Sequence, residues 1–176
     1  GTLSLPIAKS KKTKIICFEP LKYSFNKLIN NYKINNLYDE NVFHKLALSN
    51  KKGVSKIYYS DTKENIGTTS LLENYNAKDN DTEEIDLEKL DNLYSYENKK
   101  LIIKIDVEGY EKFVIEGSLN LLKNNKVLMY IETLDKYLLD KLKNLNFNIF
   151  FPKFSTGKGF SFSKVQREHD VILKNF

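Results

Sequence analysis

The stretch Leu101-Ile102-Ile103-Lys104-Ile105-Asp106-Val107-Glu108-Gly109 decides the architecture. A run this apolar and this rich in β-branched residues suits a parallel strand covered by helices on both faces. Two further runs share its character: Ile15-Ile16-Cys17-Phe18 and Val127-Leu128-Met129-Tyr130-Ile131. Glu108-Gly109 turns the chain into a helix expected to begin near Tyr110, and Gly109 would let a ligand approach the backbone closely.

Helical stripes lie between these runs. Phe25, Leu28, Ile29 and Tyr32 fall on one helix face, as do Tyr137, Leu138, Lys141, Leu142 and Leu145, with the lysine stem snorkelling. Phe113, Val114, Leu121 and Leu122 form a third stripe, interrupted at Gly117. Strands alternating with helices predict an α/β fold with a mostly parallel sheet. Val42 to Ala47 and Val54 to Tyr59 are short β-like segments across a turn, and Asn148 to Phe151 with Asp170 to Leu173 predict an antiparallel pair at the sheet edge. Residues 61–84 are polar and read as a long surface loop or lid within a single domain spanning 1–176.

Each of the three central runs closes on an acid: Glu19, then Asp106 and Glu108, then Glu132. Ligands of open parallel sheets bind beyond the carboxyl ends of the strands, so the fold gathers these acids along one edge. Pro20 holds Glu19 extended, where its carboxylate can take two hydrogen bonds from a vicinal diol such as a ribose; a strand-end acid near Lys22 is the plainer reading. Lys104 reads as a buried cation in need of a partner, and Asp106, two residues on, projects from the same face. That pair is either a structural ion pair or a device that orients a substrate or a base.

With 176 residues, 41% apolar and 29% charged, the chain has the make-up of a folded domain with a real core. One cysteine, Cys17, excludes an intrachain disulfide; it reads as core and points to a reduced, cytoplasmic setting. No apolar run approaches the roughly 20 residues of a membrane span. The net charge of +5 rests on scattered lysines with a single arginine, Arg167, which argues against nucleic acid as a partner. His44 and His169 are too few and too poorly placed for zinc; two carboxylates such as Asp106 and Glu132 would suit magnesium or calcium, but no metal is expected.

Phe18-Glu19-Pro20 with Leu28, Asn31 and Asn35-Asn36 resembles the second-strand and helix signature of FkbM-type methyltransferases. Ala47-Leu48-Ser49 with Gly53, Asn65-Ile66-Gly67 with Ser70-Leu71, and Leu90-Asp91 resemble the blocks that follow. Ile103-Lys104-Ile105-Asp106-Val107-Glu108-Gly109 with Glu111 is the most specific match, and Gly117 and Ile131-Glu132 continue it. The resemblance implies a Rossmann-like class I methyltransferase sheet with an antiparallel C-terminal strand, and S-adenosyl-L-methionine as cofactor. It implies a hydroxyl of a glycan or small molecule as methyl acceptor. By position Glu19 and Pro20 would hold the cofactor ribose and Ala47-Leu48 would lie near the adenine. Asp106 and Glu108, tuned by Lys104, would face the methyl and the substrate. Gly1 resembles the last glycine of the family's first cofactor turn, so the first strand of the sheet is expected to be missing. A nicotinamide-dependent oxidoreductase or a non-catalytic glycan- or nucleotide-binding module are the rival readings.

Overall fold

The computed structural model describes residues 3–10, 13–59, 69–71, 81–133, 136–153, 161–163 and 169–176. In chain order the elements are α1 (Ser4–Ser10), β1 (Ile16–Phe18), α2 (Lys22–Ile34), β2 (Val42–His44), β3 (Ala47–Leu48), β4 (Gly53–Tyr59), β5 (Thr69–Ser70), β6 (Asp81–Glu88), α3 (Leu90–Leu93), β7 (Lys100–Ile105), α4 (Glu111–Glu116), α5 (Leu119–Asn124), β8 (Lys126–Thr133), α6 (Lys136–Asn144), β9 (Asn148–Lys153), β10 (Ser161–Ser163) and β11 (His169–Lys174).

The largest sheet has the order β10-β9-β11-β8-β7. Its β7 and β8 run parallel, with Ile105 level with Ile131, while β11 is antiparallel to both β8 and β9. The expected antiparallel pairing of the C-terminal strand is present, but β11 lies inside the sheet and not at its edge, because it inserts between β8 and β9. β1 and β2 form a separate parallel pair, and β3-β6-β4-β5 form a second, smaller sheet.

One face of β7 and β8 carries the main core. Ile105, Val127, Met129 and Ile131 pack with Val114, Ile115 and Leu122 from α4 and α5 and with Leu138 and Leu142 from α6. Each such side chain contributes about 1.5–3 kcal/mol of burial. The other face of β7 is open: Lys100 and Lys104 are exposed, and Ile102 is 82% exposed. Cover on both faces, expected for this run, is therefore absent among the described residues, and Lys104 is not the buried lysine its apolar neighbours suggested. The apolar run alternates in space as any strand does, and the helices cover only its Leu101-Ile103-Ile105 side.

The interruption at Gly117 splits one helical stripe into two helices. Gly117 and Ser118 close α4, and the Ser118 hydroxyl donates to the Val114 carbonyl at 2.7 Å instead of capping the helix ahead. The start of α5 is capped from a distance: the Asp91 carboxylate accepts the N–H groups of Asn120 and Leu121 at 3.0 and 2.9 Å. Of the expected loop 61–84, positions 81–84 belong to β6, and 61–68 and 72–80 lie outside the described residues. No helix among the described residues is long and apolar enough to cross a membrane.

Candidate functional site

Asp106 follows directly on β7 and Glu132 lies on β8. The parallel register that sets Ile105 beside Ile131 makes them neighbours. Glu108 joins them through an unusual turn: its φ is 48° and that of Gly109 is 91°, two successive residues in the left-handed region. That conformation costs a non-glycine residue about 1 kcal/mol or more. The three acids each present a carboxylate oxygen within 4.8 Å of the others. Among the described residues no histidine or cysteine joins them, so the set has the chemistry of an oxygen-preferring cation or a proton-handling group and not of zinc.

Lys104 forms an ion pair with Asp106, both side chains being about two-fifths exposed. Partial burial raises the Asp106 carboxyl, but the hydrogen bonds from Lys104 and with Glu132, together with the lysine charge, outweigh it and hold the group below its ordinary value. Asp106 is thus ionised at neutral pH. Glu132 is its neighbouring carboxyl in this group.

Glu19 follows directly on β1 and is not one of that group of three. Its backbone N–H donates to the His44 carbonyl at 3.1 Å, and its Oε1 accepts the N–H of Leu21 at 3.1 Å. Burial pushes its carboxyl up, and the nearby Glu83 charge adds to the rise against the Leu21 hydrogen bond. Glu83, on β6, caps α2 by accepting the Lys22 N–H at 3.1 and 3.2 Å and pairs with Lys45 at 3.7 Å. A half-buried carboxyl in this state is short of donors, which fits it to a diol. Pro20 is half-buried beside it.

Ala47 is buried among Leu21, Ile57, Ile85 and Leu87, while Leu48 packs against the main core. Contact of β3 with a ligand is therefore left to its backbone and to the half-buried Leu48. Ser49, fully buried, ties the region together. Its N–H donates to the Glu88 carbonyl at 2.8 Å and its hydroxyl meets the Tyr110 hydroxyl at 3.1 Å. A Cβ on Gly117 would fall on the Ser49 carbonyl oxygen, so these two parts of the sequence touch where only glycine fits. Gly1 lies outside the described residues.

His44 stacks on Phe18 with ring centres 5.0 Å apart, and its Nε2 is 2.7 Å from the Tyr94 hydroxyl; burial lowers its pKa. It packs and does not join the acids. Cys17 is half-buried, and burial pushes its thiol up, which makes it inert. Sequence reasoning missed three participants. Glu83 lies in the stretch read as loop, and its cue was the alternation of Ile85 and Leu87 with acids. Glu111, only 3% exposed, and Ser49 have no one-dimensional signal beyond their motif positions.

Residues 3–149 match the family model described as the methyltransferase FkbM domain. The fold is similar to the crystal structure of methyltransferase FkbM from Methylobacillus flagellatus KT, with a TM-score of 0.57 at 13% identity. The similarity covers 98% of this chain and 40% of that one, so this chain spans less than half the length of the solved protein. No curated protein sequence matches the chain.

Proposed function

This chain belongs to the FkbM methyltransferase domain family, and from that premise we propose that it binds S-adenosylmethionine and methylates a hydroxyl of a glycan or small molecule. The observation that carries the proposal is the pair of unlike acid sites at strand ends: a half-buried carboxyl at Glu19 and a cluster of three carboxylates at Asp106, Glu108 and Glu132. In this reading Glu19 takes the ribose hydroxyls and β3 flanks the adenine through its backbone. A further strand between β1 and β7 would complete a Rossmann-like sheet, since each of these strands has one edge without a strand partner among the described residues.

S-adenosylmethionine, when bound, supplies a methyl group made electrophilic by its sulfonium. The residues of this chain supply position and a proton acceptor. Holding an acceptor oxygen in line with the methyl accounts for a large share of such a rate. Asp106, ionised beside Lys104, or Glu108 takes the proton that the acceptor hydroxyl loses. Glu132 lies beside these acids as the third carboxylate of the group.

Titration calorimetry of the full-length protein with S-adenosylhomocysteine tests the cofactor half of this reading. Binding is expected, weakened at least about tenfold by Glu19→Ala, since a charge-assisted hydrogen bond is worth roughly 1.5–3 kcal/mol. No binding by the wild type would remove the cofactor assignment; equal affinity in the variant would remove Glu19 from the site.

A further inference from the structure

Glu111 is the most buried carboxyl group among the described residues, at 3% exposure, in the first turn of α4. A carboxylate so placed is costly unless it accepts hydrogen bonds. Its Oε1 accepts the N–H of Gly109 at 3.3 Å, reaching back two residues into the turn. That turn is the strained one: Glu108 and Gly109 both have positive φ, and Tyr110 N–H closes it on the Val107 carbonyl at 3.2 Å. Glu108 lacks the freedom of glycine, so something outside it must hold it left-handed. The two residues that follow the turn are both anchored: the Tyr110 hydroxyl meets the Ser49 hydroxyl, and the Glu111 side chain is buried.

We propose that Glu111 is a positioning residue, whose buried carboxylate holds the Glu108–Gly109 turn left-handed and so keeps the Glu108 carboxyl beside Asp106 and Glu132. The assignment of that group to acceptor chemistry rests on the function proposed above; the holding of the turn does not. An acid two residues past the turn does what a side chain at Gly109 could not: it fixes the Gly109 N–H without occupying the space in front of it. The useful part is the acceptor oxygen held at that position.

The test reads the turn directly by NMR in the full-length protein. In Glu111→Ala the Gly109 amide should exchange with solvent about tenfold faster or more, and the HN–Hα coupling of Glu108, which reports its φ, should change. Core amides such as those of Ile115 and Met129 should stay protected. Glu111→Gln, which keeps an acceptor oxygen in place, should restore the Glu108 coupling and most of the Gly109 protection. If Glu111→Ala fails to fold, Glu111→Asp keeps the charge but is one methylene short, and the same local loss is expected. Unchanged Gly109 exchange and Glu108 coupling in Glu111→Ala or Glu111→Asp would overturn the proposal, as would equal loss in Glu111→Gln. S-adenosylhomocysteine affinity, measured on the same samples, separates this outcome from the cofactor assignment: its absence in the wild type sinks that assignment and leaves the turn result standing.

Discussion

Glu19 and Asp106 both stand where a parallel strand ends, yet their surroundings pull them in opposite directions. Glu19 has one backbone donor and a second acid nearby, and burial raises its pKa. Asp106 is exposed to solvent, and a lysine and a neighbouring carboxyl more than offset what partial burial it has. The same residue class at the same topological position therefore becomes two tools. One is a half-buried carboxyl raised by its burial; the other is a carboxyl held low by the lysine and carboxyl beside it. Strand position locates an acid, and its partners decide what it does.

The largest effect expected from this contrast is on turnover. Asp106→Asn or Glu108→Gln should slow methyl transfer from labelled S-adenosylmethionine by on the order of a hundred- to ten-thousand-fold, the usual contribution of a general base. Affinity for S-adenosylhomocysteine should be nearly unchanged, because that is assigned to the Glu19 side. Wild-type turnover in both amides would collapse the distinction.

Next in size is the joint behind the Glu108 turn. Gly117→Ala must push the Ser49 backbone away and with it the Ser49–Tyr110 contact at the start of α4. Overpacking against backbone is expected to cost about 3 kcal/mol, seen as a lower urea midpoint with an unchanged slope. A variant as stable as the wild type would mean that the backbone at Ser49 yields freely.

The smallest effect is a pair of opposite pH dependences. The Glu19 carboxyl is raised above its ordinary 4.5, so the folded chain holds that proton longer than the unfolded one. Stability is then lost as the pH rises from 4.5 through the raised value, and Glu19→Gln should flatten this fall. Asp106 is lowered below 3.8, so its contribution is present above 3.8 and lost as the pH falls through the lowered value; Asp106→Asn should flatten that loss. Thermal melts across this range check both signs, and identical profiles for the two variants would contradict the contrast.

Much of this was legible in one dimension. The apolar runs found β1, β7 and β8, and the helical stripes found α2 and α6, because burial writes a period into sequence. The split at Gly117 was visible as an interrupted stripe, though not the contact with Ser49 that explains it. β6 was not read, since Asp81–Glu88 is mostly acidic and only Ile85 and Leu87 mark its buried side. The burial of Lys104 was misjudged because sequence shows that a run is apolar, not which of its two faces has a helix against it. Asp106, Glu108 and Glu132 were each noticed as strand-end acids, but their meeting depends on the register of β7 with β8 and on a turn whose handedness no residue type announces.

The open face of β7 bears on how the protein behaves as a material. Ile102 stands bare on a strand with one edge lacking a strand partner among the described residues, the kind of surface on which chains stack into aggregates. Lys100 and Lys104, exposed on either side of it, are the charges that natural edges use against such stacking. Their protection is electrostatic and shrinks with the Debye length, from about 10 Å at 0.1 M salt to about 3 Å at 1 M. Any screening of the exposed Ile102 by charge therefore rests, among the described residues, on two lysines, one of which also pairs with Asp106.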